Sequence, residues 1–426
     1  MILIQNGRVI NPLTKRDEII DLLIEGDRIR SIGKFRLTGE YERVIDAKGL
    51  IVAPGLVDVH VHFRDPGQTA KEDIASGARS AARGGYTTVL CMANTVPPVD
   101  NAETLRANLE AGKKTGIHVL QSACLTQGMK GKELVDMAAL REEGAACFTD
   151  DGLPIQDIML VRQAMNEAKR LGVVLSFHEE DPRLITQPGI NEGKVSRALG
   201  LGGAPRSAEE VMVARDCLLA LETGARIDIQ HVSSATSVEL IRLTKALGAD
   251  IWAEATPHHF SLTEDAVFTA GTNAKMNPPL RTQDDRFAIV EGLKDDTLEM
   301  IATDHAPHTA EEKARPFAKA PSGIIGLETA LALGITNLVR TGHLTMMKLL
   351  GKLTYKPAYC FGLDAGDLHE GGPADVVIFD PAETWTVGEF CSKSSNSPFV
   401  GQKLYGKVKY TIAGGEIVYE DREANA

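Results

Sequence analysis

No two cysteines in this chain are spaced C-x-x-C. The six present, Cys91, Cys124, Cys147, Cys217, Cys360 and Cys391, are scattered, so neither a zinc ribbon nor a disulfide framework is indicated. Free thiols in a reducing cytoplasm are expected. No apolar run approaches the roughly 18 residues that span a bilayer. The opening segment MILIQNGRVINP turns polar at Gln5, too early for a signal-peptide core. A cytoplasmic protein without a membrane partner is therefore expected. Dense basic blocks are also missing. The 46 basic and 58 acidic side chains leave a formal net charge of −12, which argues against nucleic acid as the main partner. A small anionic substrate stays open, because a metal ion or one arginine inverts the local field. Finally, no G-x-G-x-x-G follows the first apolar strand, which weakens a dinucleotide-binding, doubly wound sheet.

What is present is an alternating pattern. With 43% hydrophobic and 24% charged residues the chain has the composition of a soluble globular protein. Short β-branched runs recur eight times: 56–60, 87–92, 118–123, 145–149, 173–178, 226–231, 250–255 and 300–303. Segments of helical periodicity separate them, such as IQDIMLVRQAMNEAKRLG and SAEEVMVARDCLLALETG. Gly84, Gly116, Gly144, Gly172, Gly224 and Gly248 fall between helical segments and strands, which suits left-handed C-caps. Eight β/α repeats predict an α/β fold with a TIM-like (β/α)8 barrel over residues 54–369. The ends differ in texture. IQNGRVI near the start resembles IAGGEIV near the end, and both are short strands broken by Gly. Residues 1–53 and 370–426 are expected to form one composite small β domain.

Barrel active sites lie at the C-terminal ends of the strands. The first predicted strand ends in His60-Val61-His62, and on an extended segment residues i and i+2 point the same way. The fourth ends in the stretch FTDDG at 148–152, the fifth at His178, the sixth at His231 and the eighth at Asp304. Each of these histidines alone is more often an ordinary core or surface residue. Four histidines together with aspartates at matching strand ends point to metal, since imidazole and carboxylate are ligands of catalytic zinc. Six such groups exceed what one zinc usually takes, and a carboxylate bridges two ions through its two oxygens. His118, His343 and His369 carry no such argument.

GLVDVHVHFRDPG at 55–67, MANT at 92–95, CFTDDG at 147–152, NPPLR at 277–281 and ATDHAPHT at 302–309 together resemble the amidohydrolase superfamily. More narrowly, the chain resembles the bacterial class I dihydroorotases, along nearly its whole length. That resemblance implies two zinc ions. His60, His62 and Asp304 would hold the first, His178 and His231 the second. Asp151 would bridge them where many relatives use a carboxylated lysine; no lysine lies between Ala145 and Gly152. Asp150 is left without a role. The resemblance places His62, Arg64, Asn94, Asn277, His308, Ser322 and Gly323 around the substrate. A guanidinium suits a substrate carboxylate, and an asparagine suits a ring amide. The implied reaction is the reversible cyclisation of N-carbamoyl-L-aspartate to L-dihydroorotate in pyrimidine biosynthesis, through a metal-bridged hydroxide with Asp304 as general base and acid. A homodimer, and association with aspartate transcarbamoylase, are further expectations.

Two departures from the family pattern concern Met92-Ala93 before Asn94 and the bulky Phe177 before His178. Two rival readings are another cyclic amidase of the allantoinase or dihydropyrimidinase type, and an inactive scaffold for aspartate transcarbamoylase. The scaffold reading is disfavoured because all six ligand positions are filled. The segment 306–322, with Pro307, Pro316 and Pro321, is a candidate lid.

Overall fold

Eight short parallel strands form where the apolar runs fall: β1 (Leu56–Val61), β2 (Tyr86–Cys91), β3 (His118–Gln121), β4 (Cys147–Phe148), β5 (Val174–Phe177), β6 (Ile227–Ile229), β7 (Ile251–Ala255) and β8 (Met300–Ile301). They are seen in a computed structural model that describes residues 1–35 and 41–421. The ladders comprise a three-stranded sheet, β3-β2-β1, and a five-stranded sheet running from β4 to β8 in chain order. Single bridges join the two at both seams, Ala123 with Phe148 and Val61 with His305. His62 N–H donates to His305 O at 2.8 Å across the second seam. Neighbour order thus follows chain order around a ring. β1, β2 and β5 are buried along their whole length. Burial on both faces is why these strands read as continuous apolar runs rather than alternating ones.

His60 lies within β1, but the other assigned rim residues lie beyond the ends of their strands. β5 ends one residue before His178 and β6 two before His231. His231 and Asp304 take φ of 32° and 48°, a left-handed turn that few residues other than glycine adopt. Leaving the ladder there frees the side chains to face the centre.

Helices link the strands. Helix Ile158–Leu171 is capped by Asp157, which accepts from the N–H groups of Met159 and Leu160, and ends at Gly172 in the left-handed conformation. Gly224 closes helix Arg206–Thr223 in the same way. Two other glycines differ from expectation. Gly84 is right-handed, and a Cβ there would meet Leu327 O at 2.2 Å. A Cβ on Gly116, which has no positive φ, would meet Val418 Cγ1 at 2.8 Å. Close approach of other chain segments, not cap geometry, excludes side chains at both.

The two ends of the chain meet in one six-stranded sheet. Its order is Glu416–Glu420, Lys403–Ala413, Val376–Thr386, Ile51–Pro54, Arg8–Asn11, Arg16–Ile19. Val376 pairs with Pro54 and Phe379 with Ile51, antiparallel. A second, four-stranded sheet is built around Ile2–Gln5. Ile4, Val9, Leu22, Ile24, Val376 and Ile412 pack between the sheets. Among the described residues no helix is long and apolar enough to cross a membrane.

Candidate active site

Asp58, His60 and His62 alternate along β1 and just past it. Asp58 accepts from the N–H of His60 at 3.1 Å and of Thr303 at 3.2 Å, tying β1 to β8. Burial pushes Asp58 up to about 7 against the pull of those donors. Its register brings the rings of His60 and His62 to 5.4 Å of each other, and His231 to 5.2 Å of His60.

Each of three imidazoles has one nitrogen committed to an acceptor outside the cluster. His60 Nδ1 donates to Glu254 Oε2 at 3.0 Å, His62 Nδ1 to Asn94 Oδ1 at 3.0 Å, and His178 Nε2 to Glu180 Oε2 at 3.2 Å. With those protons outward, the remaining nitrogens present lone pairs inward. His60 Nε2 is buried without a hydrogen-bond partner, 3.7 Å from both Asp151 Oδ1 and Asp304 Oδ1. His62 Nε2 stands 3.0 Å from Asp304 Oδ1, and His178 Nδ1 stands 2.9 Å from His231 Nε2. Acceptors facing acceptors in a buried space is the donor set of a cation site. Two groups have their ligand atoms within 4.8 Å of one another: His60, His62 and Asp151, and Asp151, His178 and His231. Asp151 belongs to both.

The electrostatics follow the same layout. Burial disfavours charge on Asp151, but His178, His60 and His62 outweigh it and hold the carboxyl well below the usual carboxylate range. Burial likewise opposes a charged His178, yet Asp151 and Glu180 raise it to about 10, so the two carboxylates favour a cation at its inner nitrogen, whether a proton or a metal ion. His231 is pushed well down by burial and by the neighbouring His178 and His60.

Asp150 points elsewhere. It accepts from Leu125 N at 2.8 Å and Thr126 N at 3.1 Å, and from the Thr126 hydroxyl. It fastens the turn after β3 to the turn after β4. Gly152, with φ of 80°, completes that turn.

The remaining residues expected around a substrate fall into three places. Asn94 lies against the cluster: besides accepting from His62, its Nδ2 donates to Asp151 Oδ2 at 2.9 Å. Arg64, with φ of 58°, approaches His308, its Nη2 3.4 Å from Nε2. His308 Nε2 donates to Ser322 O at 2.8 Å, and a Cβ on Gly323 would meet His308 Nε2 at 3.1 Å. Burial and the cations Arg64, Lys71 and Lys313 push His308 down to about 2, so its ring is neutral. Asn277 is on the other side, in a cavity of about 490 Å³ that also reaches His178, Glu180 and Gly152. Its Oδ1 is buried with no partner. His118 and His369 pair instead with Asp375 and Asp367, away from the cluster.

Glu254, Glu180 and Asp58 escaped the sequence reading. Glu254 lies on β7, a strand credited with no rim residue, yet it also accepts from His231 N at 3.3 Å. The available signal was an acid inside an apolar strand: IWAEA for Glu254 and LVDVH for Asp58. Such a residue needs buried donors.

A family model described as "Dihydro-orotase-like" matches residues 49–237. The chain is 62% identical to a dihydroorotase of Clostridioides difficile, covering 98% of this chain and 100% of that one. It is 58% identical to a dihydroorotase of Clostridium acetobutylicum, covering 99% and 100%. Among solved structures, an L-hydantoinase (dihydropyrimidinase) from Arthrobacter aurescens superposes with a TM-score of 0.88 at 25% identity, covering 98% of this chain and 96% of that one. A dihydropyrimidinase from Brevibacillus agri does so with 0.84 at 23%, covering 99% and 95%, a likeness of fold alone.

Proposed function

This chain belongs to the dihydroorotase family of amidohydrolases, and from that premise we propose that it interconverts N-carbamoyl-L-aspartate and L-dihydroorotate. One observation carries the reading: the buried Asp151 carboxylate belongs to both His groups, with Asp304 3.0 Å from His62. This donor set would suit two zinc ions: His60, His62 and Asp304 would hold one, His178 and His231 the other, and Asp151 would serve both. When bound, they supply a water activated at neutral pH and a Lewis acid for the ring carbonyl.

The protein's own groups do the rest. Asp304 stands at the end of β8 with a carboxylate oxygen toward the His pair. It takes the proton of the attacking water and delivers it to the ring nitrogen as the amide bond breaks; ring closure runs the same steps backwards. Arg64 offers a guanidinium fork to the substrate carboxylate. Asn94 is held by His62 and Asp151, and Asn277 keeps a free acceptor in the cavity. Ser322 and Gly323 present backbone to the ring. A composite β unit of residues 1–53 and 370–426 beside the 54–369 barrel belongs to the same reading, supported by the pairing of Ile51–Pro54 with Val376–Thr386. So does a homodimer, supported by exposed Val211 and Leu218 seven positions apart on one helix.

Hydantoinase-type neighbours share the fold, so substrate decides the reading. Purified protein with zinc is expected to open dihydroorotate far faster than allantoin or dihydrouracil; the reverse order would overturn the assignment. Asp304→Asn is expected to retain metal but lose turnover by about 10²- to 10⁴-fold. Near-normal turnover in that variant removes Asp304 from proton transfer.

A further inference from the structure

Lys275 and Lys313 are only 2% and 5% exposed, and both hold the same stretch of chain. Lys313 Nζ donates to Pro321 O and Gly323 O, each at 3.0 Å. Lys275 Nζ donates to Phe317 O and Ala320 O, each at 2.7 Å. Gly323 N–H donates back to Lys275 O at 2.9 Å. Lys275 thus ties the segment considered as a lid to the body, while Lys313, inside that segment, ties its beginning to its end.

Carbonyl oxygens satisfy ammonium N–H groups without neutralising their charge. Among the described residues neither lysine forms an ion pair with a carboxylate, and neither does Arg64. Glu312, the acid whose charge bears on Lys313, is spent on Lys71 at 3.1 Å and faces His308 Nδ1 at 3.5 Å. Asp304 and Asp151 act on Arg64 from a distance but are engaged with the histidines. Burying unpaired cations is costly. Burial and the Lys275 charge push Lys313 down to about 7, and burial lowers Lys275 and Arg64 as well. The three cations are linked in space through one rim: Arg64 to His308, His308 to Ser322 O, Lys313 to Gly323 O. Positive charge without a counterion has gathered behind the wall against which the ring would rest, with Lys313, at about 7, fully charged only below neutral pH.

We propose that Lys275 and Lys313 are specificity-determining residues whose uncompensated charges favour ring substrates bearing a carboxylate over neutral cyclic amides of the same shape. Their hydrogen bonds at the same time hold the Ser322–Gly323 edge in place. This rests on the dihydroorotase reading, because it takes the ring of that substrate as the occupant.

The test uses zinc-loaded full-length protein, with dihydroorotate and its neutral methyl ester as substrates. Lys275→Gln and Lys313→Gln keep a donor and remove the charge; Lys275→Met and Lys313→Met remove both. The glutamine variants are expected to raise KM for dihydroorotate about tenfold, with kcat, metal content and the ester's KM little changed. The methionine variants should impair both substrates, because the rim is released. An unchanged KM in both glutamine variants overturns the proposal, as does an equal rise for acid and ester, which marks a purely structural role. Should wild-type protein fail to open dihydroorotate, the activity reading falls separately. Calorimetric binding of orotate then decides: weaker binding to the glutamine variants sustains the charge effect, equal binding overturns it.

Discussion

Asp150 and Asp151 are neighbours, both buried, and their environments drive them in opposite directions. Burial raises the Asp150 carboxyl despite three donors, whereas the histidines hold Asp151 far down. Asp151→Ala is therefore expected to lose the paired-metal site, read by metal analysis. Asp150→Ala should keep the metal but lose about 1–3 kcal/mol of stability in denaturant unfolding, because it strands the Leu125 and Thr126 N–H groups. Reversed outcomes would mean the wrong member of the pair faces the histidines. Glu254 sets the His60 tautomer through Nδ1. Glu254→Gln should weaken metal binding about 10- to 100-fold in chelator competition; unchanged affinity would show that the carboxylate does not orient the ligand. Histidines and aspartates at strand ends were legible as a set. Their outer partners were not, because pairing Glu254 with His60 depends on strands 194 residues apart in sequence.

At the scale of elements, one aspartate clamps two helices to the turn before β8. Lys352, fully buried on helix Met346–Leu353, and Lys356 on helix Tyr355–Phe361 donate to Asp296 Oδ1 at 2.7 and 2.6 Å. Burial opposes charge on Asp296, but the two lysines outweigh it and hold the carboxyl at about 2. A folded pKa below the unfolded value of about 3.9 stabilises the fold above that pH and loses its effect as pH falls through the folded value. Asp296→Asn should thus be less stable than wild type near neutrality, with the gap closing between about pH 4 and pH 2 in urea unfolding. A gap independent of pH would show that charge is not what Asp296 contributes. Strand positions were readable from their apolar runs, but not the ladder ends, since His178, His231 and Asp304 leave the sheet for the centre. Gly172 and Gly224 cap as periodicity suggests. Gly84 and Gly116 are glycine because of Leu327 and Val418, contacts that local sequence does not contain.

In the whole molecule the terminal segments have an apolar cluster of their own and also contribute to the barrel's largest one. Val408 and Ala413 of Lys403–Ala413 pack in the same apolar cluster as Leu56, Tyr86 and Leu331, and Thr411 donates its hydroxyl to Ala82 O at 2.7 Å. A chain truncated after Gly401 loses two strands and exposes Val376–Thr386 as an edge. It should fail to yield folded, soluble protein; a cooperative unfolding transition in that fragment would show the barrel to be independent. Metal should also act globally, since the proposed ligand groups come from the ends of five strands. Chelation is expected to lower the melting temperature by ligand linkage, measured by calorimetry before and after zinc is restored.

By itself the sequence determined the number of β/α repeats and the His and Asp residues at their ends, because burial periodicity and strand-end chemistry are local properties; the family was legible from the resemblance of its motifs. Only the tertiary structure decided what Asp150 does, that Glu254 and Asp58 support the histidines, and that Lys275 and Lys313 stand unpaired behind the rim. Those facts depend on which distant groups share a buried space, where one hydrogen bond or one missing counterion outweighs any local preference.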